Sequence, residues 1–292
     1  MSEPKKRSTV QLSINTTHWI SGTNRYRLPF AQPLDLRGRN AKLSMYQYGI
    51  YNSTFNISSA LQNNTFYISW LGAVKECIIP DGFYSVSDLN VVLQFHLTKN
   101  KYYCVNTTNA SQVIFNFALS VNTARYAVQL DINFIPASAN SFWSTYSLPA
   151  TPGWTRPTVN TYPMIVFTTN LEKLLGFDTS ITDYPSSTTV GSESSKSFLS
   201  VTYPVLSPIF TYIVTCNLIN NRLSQIPNLF HQIPLNKAYG QLLNETLGSS
   251  EGLTCEDTIF NYLEISFLNQ EYNYLQRADP DMTMSVLLTM DV

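Results

Sequence analysis

Charge is scarce in this chain. Lys, Arg, Asp and Glu make up 13% of the 292 residues, about half the roughly 25% of an ordinary soluble domain. The net charge is −1, which excludes a general electrostatic attraction to nucleic acid. Histidine is scarcer still. His18, His96 and His231 are the only three, and none stands in H-x-H or H-x-x-x-H spacing, so neither a metal site nor a pool of general bases is signalled. The four cysteines, Cys77, Cys104, Cys216 and Cys255, form no C-x-x-C pair, which removes the usual zinc and redox signatures. They read as small buried hydrophobes. No G-x-S-x-G elbow, P-loop or G-x-G-x-x-G is present, so the common hydrolase and nucleotide-binding motifs are missing. No run reaches the ~18 apolar residues of a membrane helix. Catalytic, cofactor-binding and metal-ligating residues are therefore all assigned as none, and the chain is read as a structural protein, not an enzyme.

What is abundant is apolar and neutral-polar. Hydrophobic residues reach 44% and aromatics 13%, with 18 Tyr and 16 Phe. Such a chain has ample core material. Its surface must be made soluble by Asn, Ser, Thr, Gln and Tyr. A weakly charged surface suits a protein that buries much of itself against copies or partners. Seven N-x-S/T sequons, at Asn15, Asn52, Asn56, Asn63, Asn106, Asn109 and Asn244, are read as a by-product of this composition, with an extracellular protein as the alternative.

Period-2 patterns dominate. Val10, Leu12 and Ile14 alternate with polar residues, as do Phe66, Ile68 and Trp70. Leu43 and Met45 are followed by Tyr48 and Ile50, and Val113, Phe115, Phe117 and Leu119 form a further run. Tyr126, Val128, Leu130, Ile132 and Phe134 make the cleanest case. Phe210, Tyr212, Val214, Cys216 and Leu218, then Leu263, Ile265 and Phe267, then Met282, Met284, Val286 and Leu288 complete the set. Half-buried strands have this period, and β-branched and aromatic residues favour it.

Two helices are expected. In the first, Ser85 or Ser87 caps, Asp88 complements the dipole, and Leu89, Val92, Leu93 and Leu97 form the buried stripe. His96 beside that stripe is read as a packing residue. The second is short, with Thr169 as cap, Leu171, Leu174 and Leu175 as apolar face, Glu172 and Lys173 solvated, and Gly176 as the left-handed stop. Two long linkers, 136–163 with five prolines and 178–197 rich in Ser and Thr and containing Gly191, have the length of functional or mobile loops.

Two side-chain groups leave alternatives open. Asp279 and Asp281 flank Pro280. Such a pair can bind a cation or do acid–base work, or it can form a turn that launches the last strand. Trp143, Tyr146 and Trp154 lie in the Pro-rich linker, where they stack on sugars if exposed or anchor the loop if buried.

The expected fold class is mainly β, an antiparallel double sheet of sandwich or jelly-roll type. The domain plan is nested. Residues 1–8, with Lys5-Lys6-Arg7, form a flexible basic arm. Residues 9–60 and 195–292 form one double-sheet domain, and 61–194 is an inserted, mostly β domain carrying both short helices.

Three segments point to a family. Ile78-Ile79-Pro80-Asp81-Gly82-Phe83-Tyr84-Ser85 through Asn90 reads as strand, tight turn and capped helix. Asn170-Leu171-Glu172-Lys173-Leu174-Leu175-Gly176-Phe177 is the second helix. Phe267-Leu268-Asn269-Gln270 through Leu275 leads to Asp279-Pro280-Asp281-Met282-Thr283-Met284. With Ile213–Ile219 and Ile233-Pro234-Leu235, in that order, these resemble the penton (minor capsid) proteins of virophages and Maverick/Polinton-type elements. The likeness covers most of 65–292. The first 60 residues share only a polar arm followed by strands.

The resemblance implies a single jelly roll, five copies of which close one vertex of an icosahedral virion. It implies a homopentamer flanked by a double jelly-roll major capsid protein and assembled in the host cytoplasm. No cofactor or membrane span is implied, and the family has no catalytic residues to carry over. The basic arm is a weak candidate for contact with packaged DNA. The alternative is a viral attachment or carbohydrate-binding jelly-roll module.

Overall fold

Alternation of apolar and polar residues produces strands along the whole chain. A computed structural model describes residues 6–181, 183–190, 195–221, 224–248, 252–273, 275 and 277–292. The chain opens with β1 (Arg7–Asn15), β2 (Arg25–Asp35) and β3 (Lys42–Tyr51). The middle carries β4 (Thr65–Trp70), β5 (Ala73–Ile78), α1 (Val86–Lys99), β6 (Tyr103–Asn106), β7 (Val113–Phe115), β8 (Phe117–Asn122) and β9 (Ala127–Ile132). It continues with β10 (Tyr146–Ser147), β11 (Met164–Phe167), α2 (Thr169–Leu175) and β12 (Lys196–Leu199). The chain then returns through β13 (Thr211–Cys216), β14 (Leu229–Pro234), β15 (Leu242–Thr246), β16 (Leu253–Thr254), β17 (Ile259–Leu268) and β18 (Met282–Asp291). Two compact units result, one from the residues up to Phe55 with Ile209–Val292, the other Asn56–Pro208.

The first unit is a jelly roll, and its strand pairing says so. β1 pairs with β18, β2 with β17, β3 with β15 and β16, and β13 with β14, all antiparallel. That is the pairing of one long folded ribbon. Rolling it adds β3 against β18 and β13 against β17. The products are the sheets β1-β18-β3-β15 and β14-β13-β17-β2. This is the double-sheet, two-Greek-key order of a jelly roll. The inner faces meet in one core that includes Ile14, Leu43, Ile50, Val214, Leu263, Ile265, Val286 and Leu288. Phe267 takes Tyr26 and Tyr212 edge-on at 5.9 and 6.1 Å, an arrangement that adds about 0.5–1.5 kcal/mol per pair beyond burial.

One irregularity in β3 is functional for packing. Met45 and Tyr48 are three apart, so strict alternation would put them on opposite faces. The register against β18 shifts between Ser285 and Val286: Val286 faces Met45 while Ser285 faces Gln47. Tyr46 is the extra residue of a bulge, and both Met45 and Tyr48 end in the core.

The second unit holds three three-stranded sheets, β10-β6-β7, β11-β4-β5 and β12-β9-β8. The sheets β11-β4-β5 and β12-β9-β8 share one apolar core with both helices, and the third sheet reaches it through Phe115 of β7. α1 starts at Ser85, whose hydroxyl accepts from Asp88 N while Asp88 accepts from Ser85 N, a reciprocal capping box. Leu89, Leu93 and Leu97 are buried as expected, each contributing about 1.5–3 kcal/mol of burial. Asn90 ties the helix to β8 by accepting from Leu119 N at 2.9 Å. α2 ends at Gly176, at φ +80°, where Val201 N and Thr202 N both donate to its carbonyl.

Several expectations need correction. The cap of α2 is Thr168, not Thr169, and its side chain makes no capping bond. Glu172 is not solvated: it is 3% exposed, because loop residues up to Tyr184 pack over α2, with Phe177 and Tyr184 rings 5.3 Å apart. Tyr126 does not begin a strand. It sits at φ +54° in the β8–β9 turn and is 76% exposed, since the turn closes through Arg125 N on Asn122. Phe210, 63% exposed, lies just outside β13. Arg7 and Ser8 belong to β1, paired with Asp291 and Met290, because β18 extends far enough to order them. Of the rest of the expected arm, the Lys6 carbonyl accepts from Val292 N, and residues 1–5, like Gly191, lie outside the described residues.

Candidate functional site

The three histidines are placed by packing. His18 Nδ1 accepts from Asn15 N at 3.1 Å in a local turn. His96 is buried, with Nε2 3.0 Å from the Ile78 carbonyl and its ring edge-on to Phe66 at 5.6 Å. His231 lies 6.2 Å from the Tyr48 ring. Burial pushes both His96 and His231 below the usual imidazole range.

The cysteines are all buried and unpaired. Burial pushes Cys77 up to about 11 and Cys104, Cys216 and Cys255 up to about 12, so the reactive thiolate is suppressed at neutral pH. Among the described residues no group of three or more His, Cys, Asp or Glu is placed to hold a metal ion, and no helix is long and apolar enough to cross a membrane.

The open alternatives resolve toward structure. Asp279 Oδ1 accepts from Asp281 N at 2.8 Å, and Arg277 Nη2 donates to the Asp279 and Asp281 carbonyls at 2.7 and 3.2 Å. The carboxylate therefore builds the turn that starts β18. Trp143 is buried, donating from Nε1 to the Ala137 carbonyl at 2.9 Å, with Arg156 4.4 Å over its ring. Trp154 donates to the Lys101 carbonyl at 2.8 Å and meets Trp70 edge-on at 5.3 Å. Tyr146 stacks on Phe142 at 4.6 Å. Trp143 and Tyr146 thus pack within the Pro-rich linker, and Trp154 ties it to Lys101 and Trp70.

Two of the sequons have lost their side chains to the interior. Asn56 Nδ2 donates to the Tyr84 and Leu206 carbonyls at 2.8 and 3.0 Å, and its Oδ1 accepts from Tyr84 N at 2.8 Å. Asn63 donates to the Asn56 carbonyl and accepts from Ser58 N. Asn56 thus ties the start of the inserted unit to its last residues and to the lead-in of α1. The sequence signal for this role was the sequon itself, which hides it.

What the outer surface offers is contact. On the jelly roll, Val10, Phe210, Leu242, Ile259 and Tyr262 are exposed. On the inserted unit, Val91 and Phe95 lie at i and i+4 on the outer face of α1, opposite its buried leucines. Ile78 and Val74 are exposed on β5, and β5 has β4 as its ladder partner. In the sequence Val91 and Phe95 are apolar residues off the leucine stripe of α1.

Fold and surface define a class, a single jelly roll with a large unit inserted between its third and fourth ribbon positions and no assembled catalytic constellation among the described residues. Neither a family model nor a curated protein matches the chain. Among solved structures it is similar to the crystal structure of the mavirus penton protein, at 10% identity over 98% of this chain and 99% of that one, with a TM-score of 0.44. It is also similar to a chain in the cryo-EM structure of the Sputnik virophage, at 10% identity over 99% and 98%, with a TM-score of 0.40.

Proposed function

We propose that this protein is a non-enzymatic capsid subunit that forms the vertex of an icosahedral shell. The observation that carries the reading is the rolled-ribbon pairing of β1 to β18, with its insertion between β3 and β13. It is joined by the ordered segments that resemble penton proteins. In this reading five copies close a ring through a head-to-tail interface repeated by five-fold rotation. The jelly-roll domain forms the ring and meets a double jelly-roll major capsid protein. Location in the virion, assembly in the host cytoplasm and contact of Lys5-Lys6-Arg7 with packaged DNA belong to the same proposal.

The low charge supports it physically. Identical subunits packed around an axis bring like charges together, and a surface made polar by amides and hydroxyls avoids that repulsion. The test is native mass spectrometry and electron microscopy of the purified chain, alone and with its major capsid protein. Five-fold rings whose stability changes little between low and moderate salt are expected. Absence of five-fold assembly in both preparations rejects the proposal.

A further inference from the structure

The short helix α2 buries a carboxyl that nothing around it balances. Glu172 is 3% exposed. Its Oε1 lies out of water without a hydrogen-bond partner, and so does Thr168 Oγ1, one turn earlier. The chain that follows α2 folds back over this face and brings Asp178 and Tyr184 toward the carboxyl. Both ends of that cover are fixed. Phe177 N donates to the Glu172 carbonyl at 2.9 Å, and the Phe177 ring stacks on Phe167 at 5.7 Å. Tyr184 exchanges main-chain bonds with Ile165, both at 2.9 Å, and its ring meets Phe198 edge-on at 5.3 Å. Between those ends the turn 178–181 is held by local bonds. Ile181 N donates to the Asp178 carbonyl at 3.0 Å, Ser180 N to Asp178 Oδ1 at 2.9 Å, and the Tyr184 hydroxyl to the Asp178 carbonyl at 3.2 Å. Thr179, Ser180 and Ile181 are exposed, so little buried apolar surface secures the turn, and such segments open locally at low cost.

Asp178 and Tyr184 are the titratable groups that face Glu172. β11 and residues 58–62 carry none. Residues 200–206, which pack on the end of α2 through Leu174 and Gly176, bring only Tyr203, which is exposed. α1 meets α2 through Leu89 and Leu93 against Leu171 and Leu175. Lys173, next in the chain, is exposed. Among the described residues no basic side chain is therefore placed to pair with a Glu172 carboxylate. The neutral acid suits this position. The ionised form is buried and unpaired beside a second negative charge, and it regains water when the turn moves away. We propose that turn 178–181 is a pH-released flap, closed over the neutral carboxyl of Glu172 and opened as that carboxyl ionises. Burial, and then Asp178, raise Glu172 above the ordinary carboxylate range. Bonds from the Ser180 main chain and side chain hold Asp178 below it, so Asp178 stays the negative neighbour. Closure is thus fully favoured below the open-state value of about 4.3 and is lost as pH rises through the raised one, the opening constant growing by up to about tenfold per pH unit between them. The inference uses only the inserted unit and stands whether or not the chain forms a vertex.

The test is hydrogen–deuterium exchange of the full chain, read by mass spectrometry between about pH 4 and pH 8 and corrected for the intrinsic pH dependence of amide exchange. Protection of residues 178–181 is expected to fall about fivefold or more across that range in the wild type and to stay flat in Glu172→Gln. It should also lie about tenfold or more below the protection of β9 at every pH, the mark of a local opening. Asp178→Asn keeps an acceptor for Ser180 N and should reduce the fall without removing it, because burial is the larger cause. Thermal melting shows whether each variant is folded, and Asp178→Asn carries the comparison if Glu172→Gln is not. A flat wild-type profile, an equal fall in the folded variant, or protection of the turn matching that of β9 would each overturn the proposal.

Discussion

Asn56→Ala deletes three hydrogen bonds to main-chain groups from a position that is 0% exposed. The bonds are those to Tyr84 N, the Tyr84 carbonyl and the Leu206 carbonyl. Each is worth about 1 kcal/mol net, and the abandoned groups stay out of water, so the loss is about 3 kcal/mol. A unit of this size shifts its melting point by about 2–4 °C per kcal/mol, which gives a drop of about 6–12 °C. Tryptophan fluorescence is the right probe because Trp70, Trp143 and Trp154 lie in the inserted unit and Trp19 alone lies outside it. Asn56→Asp is the sharper variant. It keeps size and the acceptor, but turns the donor that faces two carbonyls into an oxygen and adds a buried charge. Its deficit should exceed that of the alanine variant at pH 7 and shrink as the new carboxyl is protonated toward pH 4. A tryptophan-monitored transition within 2 °C of wild type for Asn56→Ala would refute this account of how the ends of the unit are tied, a threshold below the roughly 3 °C that even 1 kcal/mol would produce.

Three further outcomes follow from the same packing. Burial, and then nearby Asp178, raise the Glu172 carboxyl above the ordinary range; its contribution to stability is therefore full below about pH 4 and is lost as pH rises through the raised value. Glu172→Gln should then be the more stable protein at pH 7, by on the order of 1–2 kcal/mol, with the gap closing toward pH 4 in urea titrations; a variant less stable than wild type at pH 7 contradicts this. Gly176→Ala places a Cβ at a left-handed φ and against the Thr202 carbonyl, so it should cost at least about 1 kcal/mol, and an unchanged melting point would show that the turn relaxes freely. None of the four cysteines should react with a maleimide within minutes at pH 7, whereas all four should react in denaturant; rapid native labelling at any site would show that the site opens.

Much of the local structure was legible from residue order. The alternation of Met282, Met284, Val286 and Leu288 gave β18, and Ser85 with Asp88 gave the start of α1. Gly176 gave the end of α2, and Asp279-Pro280-Asp281 gave the turn before the last strand. The misreadings share one cause. Tyr126 and Phe210 continue a period-2 pattern by one residue, yet burial ends where the partner strand ends. Glu172 sits on what is the polar face of an isolated helix, and a segment further along the chain covers that face. The candidate surface was the least legible, because exposure is a property of what fails to pack.

The sequence by itself determined where strands and helices form, since side-chain period, caps and turn residues act within a few positions of one another. It also determined that the chain is short of the charges, histidines and paired cysteines from which most chemistry is built. Only the tertiary structure decided which strands meet. Thr9 and Thr289 face each other across 280 positions, and the bulge at Tyr46 sets which side chains of β3 enter the core. It likewise decided that Asn56 is a tie rather than a glycan acceptor. Register and burial depend on surfaces brought from distant parts of the chain, and no local pattern carries that information.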